Sequence, residues 1–169
     1  MDAMEVIFTR RSIRKYSNKS ISEEIITDLL KAATSAPSAG NQQPWHFIII
    51  DDKSTFKQFQ KYHNSAKMLM DAQIGILICS DLNLVKHEKM WIQDCAAATQ
   101  NILLASRALG LGSCWLGVYP REKRIENLRN LLNIPENIIP FSLISIGYTD
   151  EVQQKVDRYN KSRIHYNKW

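Results

Sequence analysis

Ala36 to Ile50 reads APSAGNQQPWHFIII. The run passes through Pro37, Ser38, Gly40 and Asn41, then two glutamines and Pro44, and ends in an apolar stretch. Pro37 ends any helix that precedes it, because proline restrains the residue before it and lacks an N–H. Trp45 to Ile50 is apolar without alternation, which predicts a strand covered on both faces. The loop between these two signals carries no charge. Lys, Glu and Asp would satisfy simple solvent exposure, whereas neutral amides and hydroxyls suit a flat, polar, heteroaromatic edge.

Upstream, Ser22 followed by Glu23 and Glu24 has the form of a helix N-cap with acids in the first turn. Ile25, Ile26, Leu29, Leu30, Ala32 and Ala33 then hold helical period to about Ser35. Asp2 to Thr9 could form a shorter helix leading into the basic loop. Downstream, Ser54 to Asp71 reads as a polar helical stretch, and IGILICS (Ile74–Ser80) as a second fully buried strand.

The longest helical pattern runs from about Lys86 to Leu109 and is apolar around much of its circumference, as a central helix requires. Gly110 and Gly112 are its expected stop. SCWLGVY and FSLISIGY read as strands, with an amphipathic helix, Arg121 to Leu132, between them. Few strands, long intervening helices and no βαβ rhythm predict an α+β fold. The 169 residues fit one domain, 1–169, with neither internal repeat nor linker.

At 44% hydrophobic residues the chain can build a core without staples. No apolar run is long enough to span a bilayer, and the first residues lack a signal-peptide profile. Cys79, Cys95 and Cys114 fall at no metal or redox spacing, which predicts buried, reduced thiols and a cytoplasmic setting. The four histidines are scattered, so no metal site is expected. GxGxxG, P-loop, GxSxG and HExxH motifs are absent.

The net charge is +5, and its placement matters more than its size. Residues 10–19 carry five Lys or Arg and no acid, and Lys155 to Lys168 carry five more against Asp157 alone. These runs are either two solvated faces or the two halves of one anion site.

RRSIRKY (10–16), APSAGNQQPWHF (36–47), NSAKMLMDA (64–72) and GLGSCWLG (110–117), in this order, resemble the FMN-dependent nitroreductase family. KVDRYNKSRIHYNKW (155–169) is similar to the closing arm of its short bacterial and archaeal members. The resemblance implies an α+β homodimer with a mostly antiparallel sheet, exchanged C-terminal arms, and FMN in two clefts at the interface. It implies that Arg10, Arg11 and Ser12, completed by Lys155 and Arg158, hold the FMN phosphate. Arg14 and Lys67, with Asn64 nearby, would lie beside the pyrimidine edge. Pro37, Ser38, Ala39 and Asn41 would be lent by the partner to the ring and ribityl chain, and the backbone of Leu116 and Gly117 would reach the N5 and O4 edge.

Physical chemistry agrees at two points. Arg forks and hydroxyls are suited to a phosphate dianion, and a neutral loop suits a ring system that becomes anionic on reduction. The implied activity is ping-pong, two-electron reduction of nitroaromatic, quinone or related small acceptors by NADH or NADPH, with no catalytic side chain. Cys114 is expected as a buried small residue. Trp115 could line the flavin or plug the core, and Gln42 and Gln43 could touch ligand or brace the loop. His165, Tyr166 and Trp169 are expected to anchor the arm. Reductive dehalogenation or flavin breakdown on the same fold is the alternative enzymatic reading, and a basic nucleic-acid-binding module the non-enzymatic one. Only Tyr16 interleaves the 10–19 cluster, a poor pattern for nucleic acid.

Overall fold

Ile74–Asp81 (β2) is the centre of the protein: every residue from Ile74 to Ser80 is buried. The computed structural model describes all residues 1–169. Around β2 lie Trp45–Ile50 (β1), Leu111–Gly117 (β3) and Ile138–Tyr148 (β4), in the order β1-β2-β4-β3. All three pairings are antiparallel. The β2–β4 register shifts between Ile78 and Cys79, beside the Cys79–Pro140 pairing; proline has no N–H to offer a ladder there.

Side-chain alternation along each strand divides two cores. Ile74, Ile76, Ile78, Ile144, Ile146 and Trp45 face one side. Leu77, Cys79, Cys114, Leu116 and Leu143 face the other. The first core is closed by Glu23–Thr34 (α2) and Trp91–Ala108 (α4), which bring Leu29, Ala33, Cys95, Ala98 and Ile102 to the sheet. The second is closed by Lys53–Gln60 (α3) and Glu122–Leu132 (α5), through Phe56, Phe59 and Leu128. The N-terminal helix Ala3–Thr9 (α1) packs beside α4; Asp2 accepts the Met4 and Glu5 amides and caps it. Ser22 caps α2 by accepting from the Ile25 amide at 3.4 Å, so the expected N-cap is present.

Four expectations change. β1 is an edge strand, and its burial is uneven: Trp45 and Ile50 are buried, His46 is exposed and Ile49 is 37% exposed. An unbroken apolar run cannot by itself distinguish a covered strand from an edge. The 54–71 stretch divides into α3 and a 3₁₀ turn, Lys67–Met70, which buries Met68 and Leu69. The α4 helix starts at Trp91 instead of near Lys86 because Lys89 turns into the left-handed region at φ +64°, which a right-handed helix cannot pass through; before that turn the Gln42 side chain accepts the Lys86 and His87 amides. Gly110, at φ +77°, is the helix stop, while Gly112 belongs to β3.

Gly112 matters for another reason. The 10–17 segment lies against β3 through a Ser12–Ser113 bridge and an Ile13 N–H donated to the Ser113 carbonyl at 2.9 Å. A Cβ at Gly112 would stand 2.6 Å from Ile13 Cγ2 and 2.9 Å from Ile13 Cβ. Gly112→Ala is therefore expected to destabilise the protein by about 1–3 kcal/mol through overpacking. Thermal unfolding checks this, and an unchanged midpoint would show that Ile13 can retreat without penalty.

Candidate functional site

Pairing with β3 carries the basic loop to the place where the chain's tail returns. Gln153 fixes that return: its side chain accepts from the Arg11 amide at 3.3 Å and donates to the Leu111 carbonyl at 3.4 Å. Beyond it, Lys155 and Arg158 join Arg10 and Arg11 around one cleft of about 770 Å³, whose walls include Phe8, Asp157 and Tyr159. The two basic segments from opposite ends of the chain thus meet within a single copy.

Four cations and one acid line this cleft, and no ion pair neutralises any of the four. The Arg10 guanidinium is held below its ordinary pKa, first by burial and then by the positive charge of Arg11 and Arg158. Two Arg11 nitrogens donate to carbonyls at the end of α1, Arg10 at 2.5 Å and Phe8 at 2.9 Å. A cation at a helix C-terminus is favourably placed, and the contact fixes the cleft's rear wall. Lys155 Nζ lies 4.7 Å from the centre of the Phe8 ring. Four cations facing one carboxylate leave positive charge in excess, and a phosphate dianion is chemically suited to balance it.

A second cavity, of about 390 Å³, gathers Arg14, Asn64 and Lys67 with Ser65, Met68 and Asp71. Cys114 lies close enough to Arg14 and Arg10 to feel their charge. Burial pushes its thiol pKa up, while Arg14, a hydrogen bond with Ser12 and Arg10 oppose the rise. The residue is 2% exposed, a packed side chain as expected.

The family model described as "Nitroreductase family" matches residues 7–73 and 54–148. The chain belongs to the nitroreductase family.

It is 51% identical to a candidate NADH dehydrogenase/NAD(P)H nitroreductase of Archaeoglobus fulgidus, over 99% of both chains. Among solved structures, a candidate NADH oxidase from Clostridium acetobutylicum superposes with a TM-score of 0.93 at 42% identity, covering 97% of this chain and 99% of the other. A candidate nitroreductase from Desulfovibrio desulfuricans, crystallised in complex with FMN, superposes with a TM-score of 0.85 at 26% identity, over 100% and 98%. The nitroreductase fold expected from the motifs is the fold observed.

Within this nitroreductase-family chain, the loop bearing Pro37, Ser38, Ala39 and Asn41 enters neither cavity. It sits between α2 and β1, over the start of α4, and a single copy does not bring it to the basic clefts. Its backbone is unusual: Gly40, Asn41 and Gln43 have φ of +54°, +53° and +45°. Ser38 Oγ accepts the Gln43 amide at 3.0 Å, and Gln42 is buried as a brace. Leu116 is buried, and Gly117, at the exposed end of β3, has its carbonyl held by Arg124 at 2.6 Å. Trp115 packs towards the first core, 5.9 Å from the Phe141 ring. His165 and Trp169 stack on each other, and both are exposed.

Three residues of this region were not anticipated from the sequence. Gln153 gave no local signal, being one amide in a polar tail. His63, beside Asn64, is buried against Phe59 with neither ring nitrogen hydrogen-bonded. Asp94 was detectable: it is a lone acid on the apolar stripe between Trp91 and Ala98. No helix is long and apolar enough to cross a membrane, and no three His, Cys, Asp or Glu side chains cluster as metal ligands.

Proposed function

We propose that this nitroreductase-family oxidoreductase binds FMN and catalyses ping-pong, two-electron reduction of nitroaromatic, quinone or related small acceptors with NADH or NADPH. The single observation carrying this reading is the meeting in one cleft of Arg10, Arg11, Lys155 and Arg158, none of them in an ion pair and with Asp157 the one acid beside them. These four, with the Ser12 hydroxyl, would hold the FMN phosphate. Arg14, Lys67 and Asn64, which share one cavity, would hold the pyrimidine side of the flavin, and the Leu116–Gly117 backbone would offer groups to its N5 and O4 edge. FMN, when bound, would supply the redox chemistry that links a nicotinamide donor to the acceptor. The side chains bind, orient and set charge, and none is assigned a proton transfer.

The working unit is a homodimer whose loops Pro37–Asn41 complete the partner's cleft. Two features support it: that loop lies outside both basic cavities of its own copy, and apolar side chains stand exposed along the arm and α1. Tyr159 is 72% exposed, Tyr166 85% and Trp169 102%, while Met4 and Ile7 are half-exposed. Surfaces of this kind mark association sites.

The visible spectrum of the purified protein is the direct test. Oxidised-flavin bands that survive gel filtration, and turnover of a quinone with NADH or NADPH, are expected. A colourless protein that takes up no FMN would sink the reading. Intersecting double-reciprocal lines in place of parallel ones would remove its ping-pong part.

Lys67→Ala is expected to lower the reduction potential of the bound flavin by about 10–30 mV, because it removes a partly screened positive charge near the group that gains negative charge. FMN affinity should change little. Spectroelectrochemical titration showing an unaltered potential would take Lys67 out of this role.

A further inference from the structure

Asp94 is the unexplained charge in the interior. It projects from the first turn of α4, is 4% exposed and has no cationic partner. One carboxyl oxygen accepts the Ala39 amide at 2.9 Å, and the other accepts Gln42 Nε2 at 2.5 Å. Gln42 Oε1 in turn accepts the Lys86 and His87 amides at 2.8 and 3.0 Å. Three separate stretches of chain therefore converge on two buried side chains. Such a group is retained only where its partners are well satisfied, since a carboxylate without a cation is costly to bury.

The stretch held this way is the one with left-handed backbone at Gly40, Asn41 and Gln43. His87 also lies directly over Gly40: a Cβ there would stand 2.4 Å from its Nε2. Left-handed conformations at non-glycine residues persist only when the surroundings over-determine them. Sheet and helix packing do not reach these residues, since Gly40, Asn41 and Gln43 are all exposed. The hydrogen bonds to Asp94 instead fix the residues on either side of them, Ala39 by its amide and Gln42 by its side chain.

We infer that Asp94 and Gln42 are positioning residues that preset the Ser38–Asn41 loop for the cofactor of the opposite subunit. The inference rests on the dimeric FMN reading above. Presetting a loop removes an ordering cost otherwise charged to binding, so breaking the bridge weakens FMN binding more than it weakens the fold.

The network permits a charge swap. Asp94→Asn places an amide NH2 against either the Ala39 N–H or the Gln42 NH2, donor facing donor. Gln42→Glu places a second carboxyl against Asp94, acid facing acid. Gln42→Glu combined with Asp94→Asn restores every donor to an acceptor. The carboxylate then at position 42 still accepts from the Lys86 and His87 amides. The amide then at position 94 donates to that carboxylate through its NH2 and accepts the Ala39 N–H through its carbonyl.

The test measures FMN affinity of apo-protein by fluorescence quenching, visible circular dichroism of the bound flavin, and the melting temperature of the apo form. Each single variant is expected to bind FMN about tenfold more weakly and to show altered flavin dichroism, at temperatures where it is fully folded. The double variant should return to within about threefold of wild type. If Asp94→Asn does not fold, the Gln42→Glu variant and the double variant still provide the comparison. Wild-type affinity and dichroism in the single variants, or a double variant no better than its parents, would overturn the positioning role alone. Wild-type protein unable to take up FMN would overturn the parent reading, and this inference with it.

Discussion

Arg10→Ala and Arg158→Ala are each expected to weaken FMN retention by roughly 10–150-fold, the equivalent of losing a charged hydrogen bond worth about 1.5–3 kcal/mol. The apo-protein should respond with the opposite sign. Without an anion, Arg10 is partly buried beside Arg11 and Arg158, and like charges at that distance oppose folding. Removing Arg158 relieves part of that repulsion, so the melting temperature of the flavin-free variant should equal or slightly exceed that of wild type. This pairing of weaker binding with undiminished apo stability separates an anion site from ordinary structural arginines. FMN dissociation constants and apo melting curves measure both halves. Two variants that retain FMN as wild type does would show the phosphate to be elsewhere. Variants that bind weakly and also melt early would make the arginines structural.

Ending the chain after Gln154 is expected to have the largest functional effect with a small effect on folding. All residues from 154 to 169 are exposed, and none contributes to either core. Gln153, which ties the tail to Arg11 and Leu111, remains in place. The shortened apo-protein should therefore melt within a few degrees of the full chain, since surface changes away from the core usually cost little. It should nevertheless lose Lys155 and Arg158 together. Two lost charged contacts multiply to at least about a hundredfold in FMN affinity. Sedimentation should report a shift from dimer towards monomer, because Val156, Tyr159, Ile164 and Trp169 leave with the arm. A truncated protein that stays dimeric and yellow would remove the arm from both the cleft and the interface.

Much of this organisation was legible in local sequence. The Ser22 cap, the helical period that follows it and the Ile74–Ser80 run each contain the physics of their own structure. A cap needs only the next three residues, and a central strand in a two-sided sheet needs apolar residues at every position. The apolar Trp45–Ile50 run looked the same as Ile74–Ser80, yet it forms the sheet edge. What distinguishes them is strand order, which depends on partners about thirty residues away and farther. The early start expected for α4 failed as well: Lys89 is left-handed at φ +64°, and the turn before it is tied through the Lys86 and His87 amides to Gln42, more than forty positions upstream.

The sequence alone determined the types of groups available: two basic segments, a neutral loop, apolar strands and a family pattern that joins them. Their chemistry is local and survives without knowledge of the fold. Tertiary structure alone decided which groups meet. Pairing of Ser12–Ile13 with Ser113 brings Arg10 to the arm, and Asp94 holds a loop that local preference would leave loose. Charge repulsion, burial and hydrogen-bond satisfaction act over a few ångströms of space, whatever the separation along the chain, so only the folded chain could settle them.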